Sequence, residues 1–375
     1  MPSLLPNVDP DGLLEYSVVY TDRAINHMSG AFQGVMRGIS RILKQVYNAE
    51  AAIIVPGSGT FGMEAVARQF ATNKKCLVIR NGWFSFRWSQ IFDMGGIPAS
   101  TTVLKARPVA NGPQAAFAPP PLDEVLAAIK SEKPDMVFAP HVETASGILL
   151  PDDYIRKVAE AVHEHGGLFV LDCIASGTIW VDMKETGVDV LISAPQKGWS
   201  GPACCALVML GAQARKQIDA TTSTSFACDL RKWLQIMQAY EQGGHAYHAT
   251  MPTDALTALH KTMLEMEAEG FGKLRDAQRE LGAKVRAMLT KRGFKSVAAE
   301  GFQAPGVVVS YTNDDGIHST KKFAQAGVQA AAGVPLQCDE PEGFKTFRIG
   351  LFGLDKLHHI ERTVDYLAKA ISKIA

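Results

Sequence analysis

The chain has 375 residues, with 38 basic and 38 acidic side chains and 47% apolar residues. That length accommodates two domains, and the balanced charge gives no electrostatic case for nucleic acid or an anionic membrane as a partner. No uncharged apolar run approaches the roughly 20 residues of a membrane span.

The N-terminus lacks a basic region followed by an apolar run, so no secretory signal is expected. Six scattered cysteines without zinc-ligand spacing read as thiols of a reducing compartment, which places the protein in the cytoplasm. The vicinal pair Cys204 and Cys205 is expected to pack on opposite faces of a strand.

Residues 1–23 read as an N-terminal arm, proline-containing and without a clear period. Met28, Phe32, Val35, Met36, Ile39, Ile42, Leu43 and Val46 fall at helical spacing and predict an amphipathic helix over 26–47. An apolar strand over 51–55 is stopped by Pro56-Gly57-Ser58-Gly59-Thr60, and a helix follows over 61–71. A strand, a small-residue loop and a helix opening together form an anion site, because glycine lets the backbone approach and the free N–H groups face the anion. An ordinary turn capped by Ser58 or Thr60 is the alternative.

The alternation continues with a strand over 75–80, a helix over 84–94, a weaker strand over 101–104 and a helix over 122–130. A strand over 136–139 runs into His141-Val-Glu-Thr-Ala-Ser-Gly147. The next helix carries Asp152 and Asp153 in its first turn and stops at Gly166-Gly167. The stretch 167–210 supplies a buried strand ending on Asp172, a second short strand, Lys197 in a Gly/Pro-rich loop, and a strand over 204–210. A helix near 230–240 and a helical region over 254–292, broken at Gly270 and Gly272, come next. Strands over 306–311 and 345–351, a helix over 319–326 and a last helix from Asp355 complete the chain.

Strands alternating with helices imply an α/β fold with a parallel sheet, right-handed crossovers and ligand chemistry at the carboxyl ends of the strands. Ser58, Phe84, Glu143, Thr144, Asp172 and Lys197 all follow predicted strands. An acid facing a lysine in a cleft suits a pyridoxal phosphate site, where the lysine bonds the cofactor and the carboxylate keeps its pyridine nitrogen protonated. A structural ion pair between Asp172 and Lys197 fits the same residues. Glu143 reads equally as a capping loop acid and as a substrate contact. His163 and His165, at i and i+2, do not share a helix face, so they are expected to be solvated and no metal site is expected.

GSGT…EA at 57–65, NGWFSFR at 81–87, HVETASGILLP at 141–151, LDCIAS at 171–176, SAPQKGWSGP at 193–202, YHATMP at 247–252 and TFRIGLFG at 346–353 occur in an order that resembles class V pyridoxal 5′-phosphate (PLP)-dependent aminotransferases, the alanine–glyoxylate/serine–pyruvate branch above all. The resemblance implies PLP-dependent transferase fold type I: a large, mostly parallel seven-stranded sheet domain (24–270), a smaller C-terminal α/β domain (271–375) and a homodimer. It implies Lys197 as the Schiff-base lysine and Asp172 at the pyridine nitrogen. Ser58, Gly59, Thr60 and Gln196 would hold the phosphate, Phe84 would stack on the ring with Trp83 as the one-residue alternative, and Thr144 would lie at the ring oxygen. Tyr247 and Thr250 would reach the neighbouring subunit's cofactor, and Arg348 would grip the substrate carboxylate.

The family's Gly-Pro-rich opening is missing. Tyr20 and Arg23 stand in that region and are read either as a site for a second anionic group on the substrate or as structural. The implied activity is transfer of an amino group from an amino acid or related amine to a small oxo acid such as glyoxylate or pyruvate. A cysteine desulfurase-like lyase using Cys338, and a non-catalytic phosphate binder, are the alternatives.

Overall fold

A computed structural model describes residue 9 and residues 11–374; most of the first half of the expected arm, residues 1–8 and 10, lies outside them. Helix α1 (Gly30–Tyr47) begins four residues later than its periodicity suggests, because Ser29 takes the N-cap and its hydroxyl accepts from the Phe32 N–H. Phe32, Val35, Met36, Ile39, Ile42 and Leu43 are buried as expected, whereas Met28 lies before the helix and is exposed.

Seven strands follow: β1 (Ala51–Pro56), β2 (Lys75–Arg80), β3 (Ser100–Lys105), β4 (Met136–Pro140), β5 (Leu168–Asp172), β6 (Val190–Ser193) and β7 (Cys205–Leu210). They form one sheet in the order β1–β7–β6–β5–β4–β2–β3. Only β7 runs antiparallel to its neighbours, and the contacts β6–β5, β5–β4, β4–β2 and β2–β3 are parallel. The carboxyl ends of six strands therefore share one edge. Strands β4 to β7 are buried along their whole length, which is why each reads as a continuous apolar run.

The crossover helices are α2 (Gly59–Phe70), α3 (Trp83–Gly95), α4 (Leu122–Glu132) and α5 (Asp152–His163). Helix α2 lies so close to the sheet that a Cβ on Gly62 would stand 2.5 Å from the Ala206 Cβ. After β7 come α6 (Leu230–Glu241), α7 (Thr253–Glu269) and α8 (Phe271–Lys291), the last two separated only by Gly270 at φ +99°. A second, three-stranded antiparallel sheet follows, ordered β8 (Val307–Tyr311), β10 (Thr346–Gly350), β9 (Ala331–Ala332), and α9 (Ile360–Ile371) closes the chain.

The helix expected over 319–326 is instead two short pieces, Asp315–His318 and Lys321–Gln325, because Thr320 adopts φ +65° between them. The terminal helix is likewise interrupted at His359. Among the described residues no helix is long and apolar enough to cross a membrane.

Candidate active site

At the shared edge, β1 leads through Gly57, at φ +123°, into Ser58, the N-cap of α2. The Ser58 hydroxyl makes no capping bond, so the ordinary capped turn is not what this loop forms. The first intrahelical donor is the Gly62 N–H, which reaches the Ser58 carbonyl at 3.3 Å. The N–H groups of Gly59, Thr60 and Phe61 remain free among the described residues, at the positive end of the helix dipole. A Cβ on Gly59 would stand 2.5 Å from Ile174 Cδ1, so only glycine brings this loop against the segment that follows Asp172.

Asp172 ends β5, and its register opposite Pro140 and Ile192 places it in the middle of the sheet edge. It is 7% exposed, and its Oδ1 accepts the Ile174 N–H at 2.9 Å. No ion pair within the described residues engages it, so the structural Asp172–Lys197 salt bridge is not formed. Burial pushes its carboxyl up to about 7, and nearby Glu143 adds to that rise; the Ile174 N–H, Lys197 and Arg87 oppose it.

Lys197 lies four residues beyond β6, in a turn closed by the Ser200 N–H to the Lys197 carbonyl and the Gly201 N–H to the Pro195 carbonyl. The next residue must be glycine, since a Cβ on Gly198 would fall 2.1 Å from the Gly177 carbonyl oxygen. The amine stands 5.4 Å over the Phe352 ring. Burial lowers its pKa, with Arg348 and Arg87 pushing the same way against Asp172 and Glu143. That is the direction a lysine needs to act as a base near neutrality.

Phe84 sits in the first turn of α3 and takes two guanidinium groups, Arg87 at 5.1 Å and Arg348 at 5.5 Å from its ring centroid. Trp83 turns to Phe86 instead, so Phe84 is the ring that faces the cluster. Glu143 is fully buried. Its carboxylate accepts from Phe84 N at 3.2 Å, Ser85 N at 2.9 Å, Ser85 Oγ at 2.7 Å and Ala145 N at 2.9 Å. The capping reading of Glu143 is the one the structure realises, and the cap fixes the helix turn that carries Phe84.

Arg348 lies on β10, where its Nε donates to the Ala332 carbonyl at 2.8 Å, and no carboxylate pairs with it among the described residues. A strand arginine satisfied by a surface acid is therefore excluded. Sequence reasoning missed Arg87: its Nη1 donates to Thr60 Oγ1 at 3.0 Å and carries positive charge to the loop at the start of α2. Its three-residue spacing from Phe84 was the available signal.

The other candidates lie elsewhere or make fewer contacts. Thr144 and Gln196 make no side-chain hydrogen bond among the described residues, and Gln196 is exposed. Tyr247 pairs with Thr250 at 3.0 Å and is 55% exposed. The Tyr20 hydroxyl donates to the Met251 carbonyl at 3.1 Å, and Arg23 is exposed. No hydrogen bond, ion pair or ring contact among the described residues joins these four to Lys197, Asp172 or Arg348 within the chain.

Two expectations need correction. His163 and His165 are only partly solvated: each is half-buried, with His163 Nε2 on Asp189 Oδ2 and His165 Nε2 on the Pro134 carbonyl, each at 2.8 Å. Cys204 and Cys205 are not separated across the strand, because Cys204 precedes β7 and the two buried sulfurs lie 3.8 Å apart. Cys338 is buried, its Sγ donates to the Arg80 carbonyl at 3.3 Å, and burial pushes its thiol up to about 12. A thiol so placed is a poor nucleophile, which weakens the desulfurase alternative.

Comparison with known proteins agrees with this geometry. The family model "Aminotransferase class-V" matches residues 12–334. The chain is 28% identical over 341 residues to a 2-aminoethylphosphonate–pyruvate transaminase of Pseudomonas aeruginosa, covering 89% of this chain and 86% of that protein. It is 26% identical over 277 residues to alanine–glyoxylate aminotransferase 1 of Saccharomyces cerevisiae, covering 69% and 68%. The crystal structure of an alanine–glyoxylate aminotransferase from Nostoc sp. matches with a TM-score of 0.76 at 19% identity, over 92% of this chain and 88% of that one, which shows fold type I. With a matching family model that spans most of its length, the chain belongs to the class-V aminotransferases.

Proposed function

We propose that the protein is a PLP-dependent transaminase that moves an amino group from an amino acid or related amine to a small 2-oxo acid such as glyoxylate or pyruvate. The observation that carries this reading is the convergence of Lys197, the unpaired buried Asp172 and Phe84 at one sheet edge with the acid-free Arg348, which reaches the Phe84 ring from the second sheet. Asp172 fits the cofactor's pyridine nitrogen, since a buried carboxyl without a cation partner is completed by an N–H donor of positive charge. The free N–H groups at Gly59 and Thr60, with the Ser58 hydroxyl and Arg87, fit its phosphate.

Bound PLP supplies an electron sink conjugated to the substrate α-carbon. Phe84 would hold the ring face, and Thr144 and Gln196 would add polar contacts at the ring oxygen and the phosphate. Lys197 Nζ would take the proton from the substrate α-carbon and return it. Arg348 would orient the substrate through its carboxylate, with two parallel N–H donors still available beyond the Ala332 bond. The donor then departs as its oxo counterpart before the acceptor enters.

Tyr247 and Thr250 would serve the site of a second copy in a homodimer, and Tyr20 is linked to Tyr247 through the His27 ring. Tyr20 and Arg23 would serve substrates with a second anionic group. Gly270 divides a large cofactor-binding domain from a small one, and the setting is cytoplasmic. Purified protein should show the cofactor's visible absorption band and transaminate a glyoxylate or pyruvate acceptor. Retention of both band and turnover in Lys197→Ala would overturn the proposal.

A further inference from the structure

A cleft of 1090 Å³ opens between α8 on one side and the segments that follow β4 and β5 on the other. Neither Lys197, Asp172, Phe84 nor Arg348 lines it. Its size lies just above the ~300–1,000 Å³ of small-molecule sites.

Arg275, Arg279 and Arg286 fall at i, i+4 and i+11 on α8, so they share one helix face; Lys291, the last residue of the helix, lies off that face but also borders the cleft. Asp152 and Glu300 are the only carboxylates on the lining, which leaves an excess of two positive charges. His141 also borders the cleft but adds no charge at neutrality, since burial holds its pKa at about 4. Trp180 supplies an aromatic wall.

Ion pairing accounts for only one of these four cations, Arg275, whose Nε meets the neighbouring Asp276 at 3.2 Å. Ion pairs of α8 among the described residues engage Lys273, Arg275 and Lys284 but not Arg279, Arg286 or Lys291. Arg275 and Arg279, one turn apart on the same face, repel each other. Arg286 donates Nη1 to Ser296 Oγ at 3.3 Å and Nη2 to the Ala304 carbonyl at 2.7 Å, which leaves its Nε without a partner among the described residues. Gly282 packs α8 directly against the Pro305 backbone, where a Cβ would stand 2.5 Å from the Pro305 carbonyl oxygen, and Ala283 and Ala287 add little bulk to the lining.

We infer that this cleft binds a small polyanion, either a dicarboxylate or a phosphate compound, held by Arg275, Arg279 and the free Nε of Arg286 against Trp180. This site is separate from the transaminase reading and does not depend on it. Its two walls belong to the layers that carry Asp172 and Arg348 respectively, so a bound anion ties together the parts of the molecule that hold cofactor and substrate.

The test is isothermal titration of PLP-incubated protein with succinate and, separately, inorganic pyrophosphate; the probe that binds identifies the anion class. One site per chain is expected. Its Kd should rise about tenfold or more in the Arg275→Gln/Arg279→Gln variant and stay unchanged in Arg348→Ala. Both glutamines are tolerated on the accessible helix face, which an unchanged thermal midpoint verifies. No binding of either probe up to about 10 mM, an unchanged Kd in the double variant, or loss of binding in Arg348→Ala would overturn the inference, and none of these outcomes bears on transamination.

Discussion

Replacing Glu143 distinguishes a structural acid from a substrate contact. The carboxylate is fully buried and accepts three backbone N–H groups and one hydroxyl, two donors to each oxygen. Glu143→Ala strands the three N–H donors, while the Ser85 hydroxyl can turn to the Gly82 carbonyl at 2.9 Å, and each unsatisfied buried donor costs about 1–3 kcal/mol. Loss of negative charge at the N-terminus of α3 removes a further ~0.3–1 kcal/mol. Water entering the vacated volume recovers part of this, so a loss of about 4 kcal/mol is expected, at the low end of the sum. Glu143→Gln keeps one oxygen and turns an NH2 group toward the other two donors, which puts its loss near half as much, about 2 kcal/mol. Urea unfolding of both variants, with and without PLP, measures these values. A loss below about 1 kcal/mol for Glu143→Ala, together with weakened substrate affinity, would refute the argument and return Glu143 to a substrate role.

Asp172 gives the cofactor-free protein a defined pH response. Its folded pKa is raised by burial from 3.8 to about 7, so the folded state holds the proton more tightly. The resulting stabilisation is complete below the unfolded pKa and is lost as pH rises through about 7. At about 1.4 kcal/mol per unit, this amounts to ~4 kcal/mol. Urea midpoints across that range should fall less steeply in Asp172→Asn, and parallel curves for the two proteins would contradict the assignment. Arg348→Ala should raise KM for the oxo acid about 100-fold, as expected when a bidentate charged contact of ~1.5–3 kcal/mol is removed. Arg348→Lys should recover only part of that loss, and a KM within threefold of wild type in Arg348→Ala would exclude the carboxylate role. Cys338→Ser should leave turnover within about twofold, because the thiol is protonated at neutrality; persulfide formation from cysteine that this variant abolishes would restore the lyase reading.

The strands and the chemistry at their ends were legible because a sheet covered on both faces demands continuous apolar runs. The residues at the sheet edge stand out against them. Leu168–Asp172 shows this directly, with four buried apolar residues followed by an acid whose position is fixed by register with its two neighbours. Glu143 was ambiguous because three of its four donors lie 58 and 59 residues earlier, and no local pattern names the partner of a carboxylate across a sheet. Arg87 stood at the end of a quoted stretch, yet its contact with Thr60 depends on how α3 packs beside α2. The break at Thr320 escaped periodicity because a single residue with positive φ leaves the apolar spacing intact on both sides.

The N-terminal segment is the clearest case of order along the chain failing to give position. Tyr20 and Arg23 take the place of a stretch that lines a pocket in the family they resemble. Here Tyr20 is held by Met251 and its ring lies 5.5 Å from His27, which in turn lies 5.7 Å from Tyr247. That aromatic group connects the segment to Tyr247 and Thr250, the residues proposed to complete the site of a second copy. On the proposed dimer, a role for Tyr20 and Arg23 in substrate choice would depend on the same subunit contact that would bring Tyr247 and Thr250 to the cofactor.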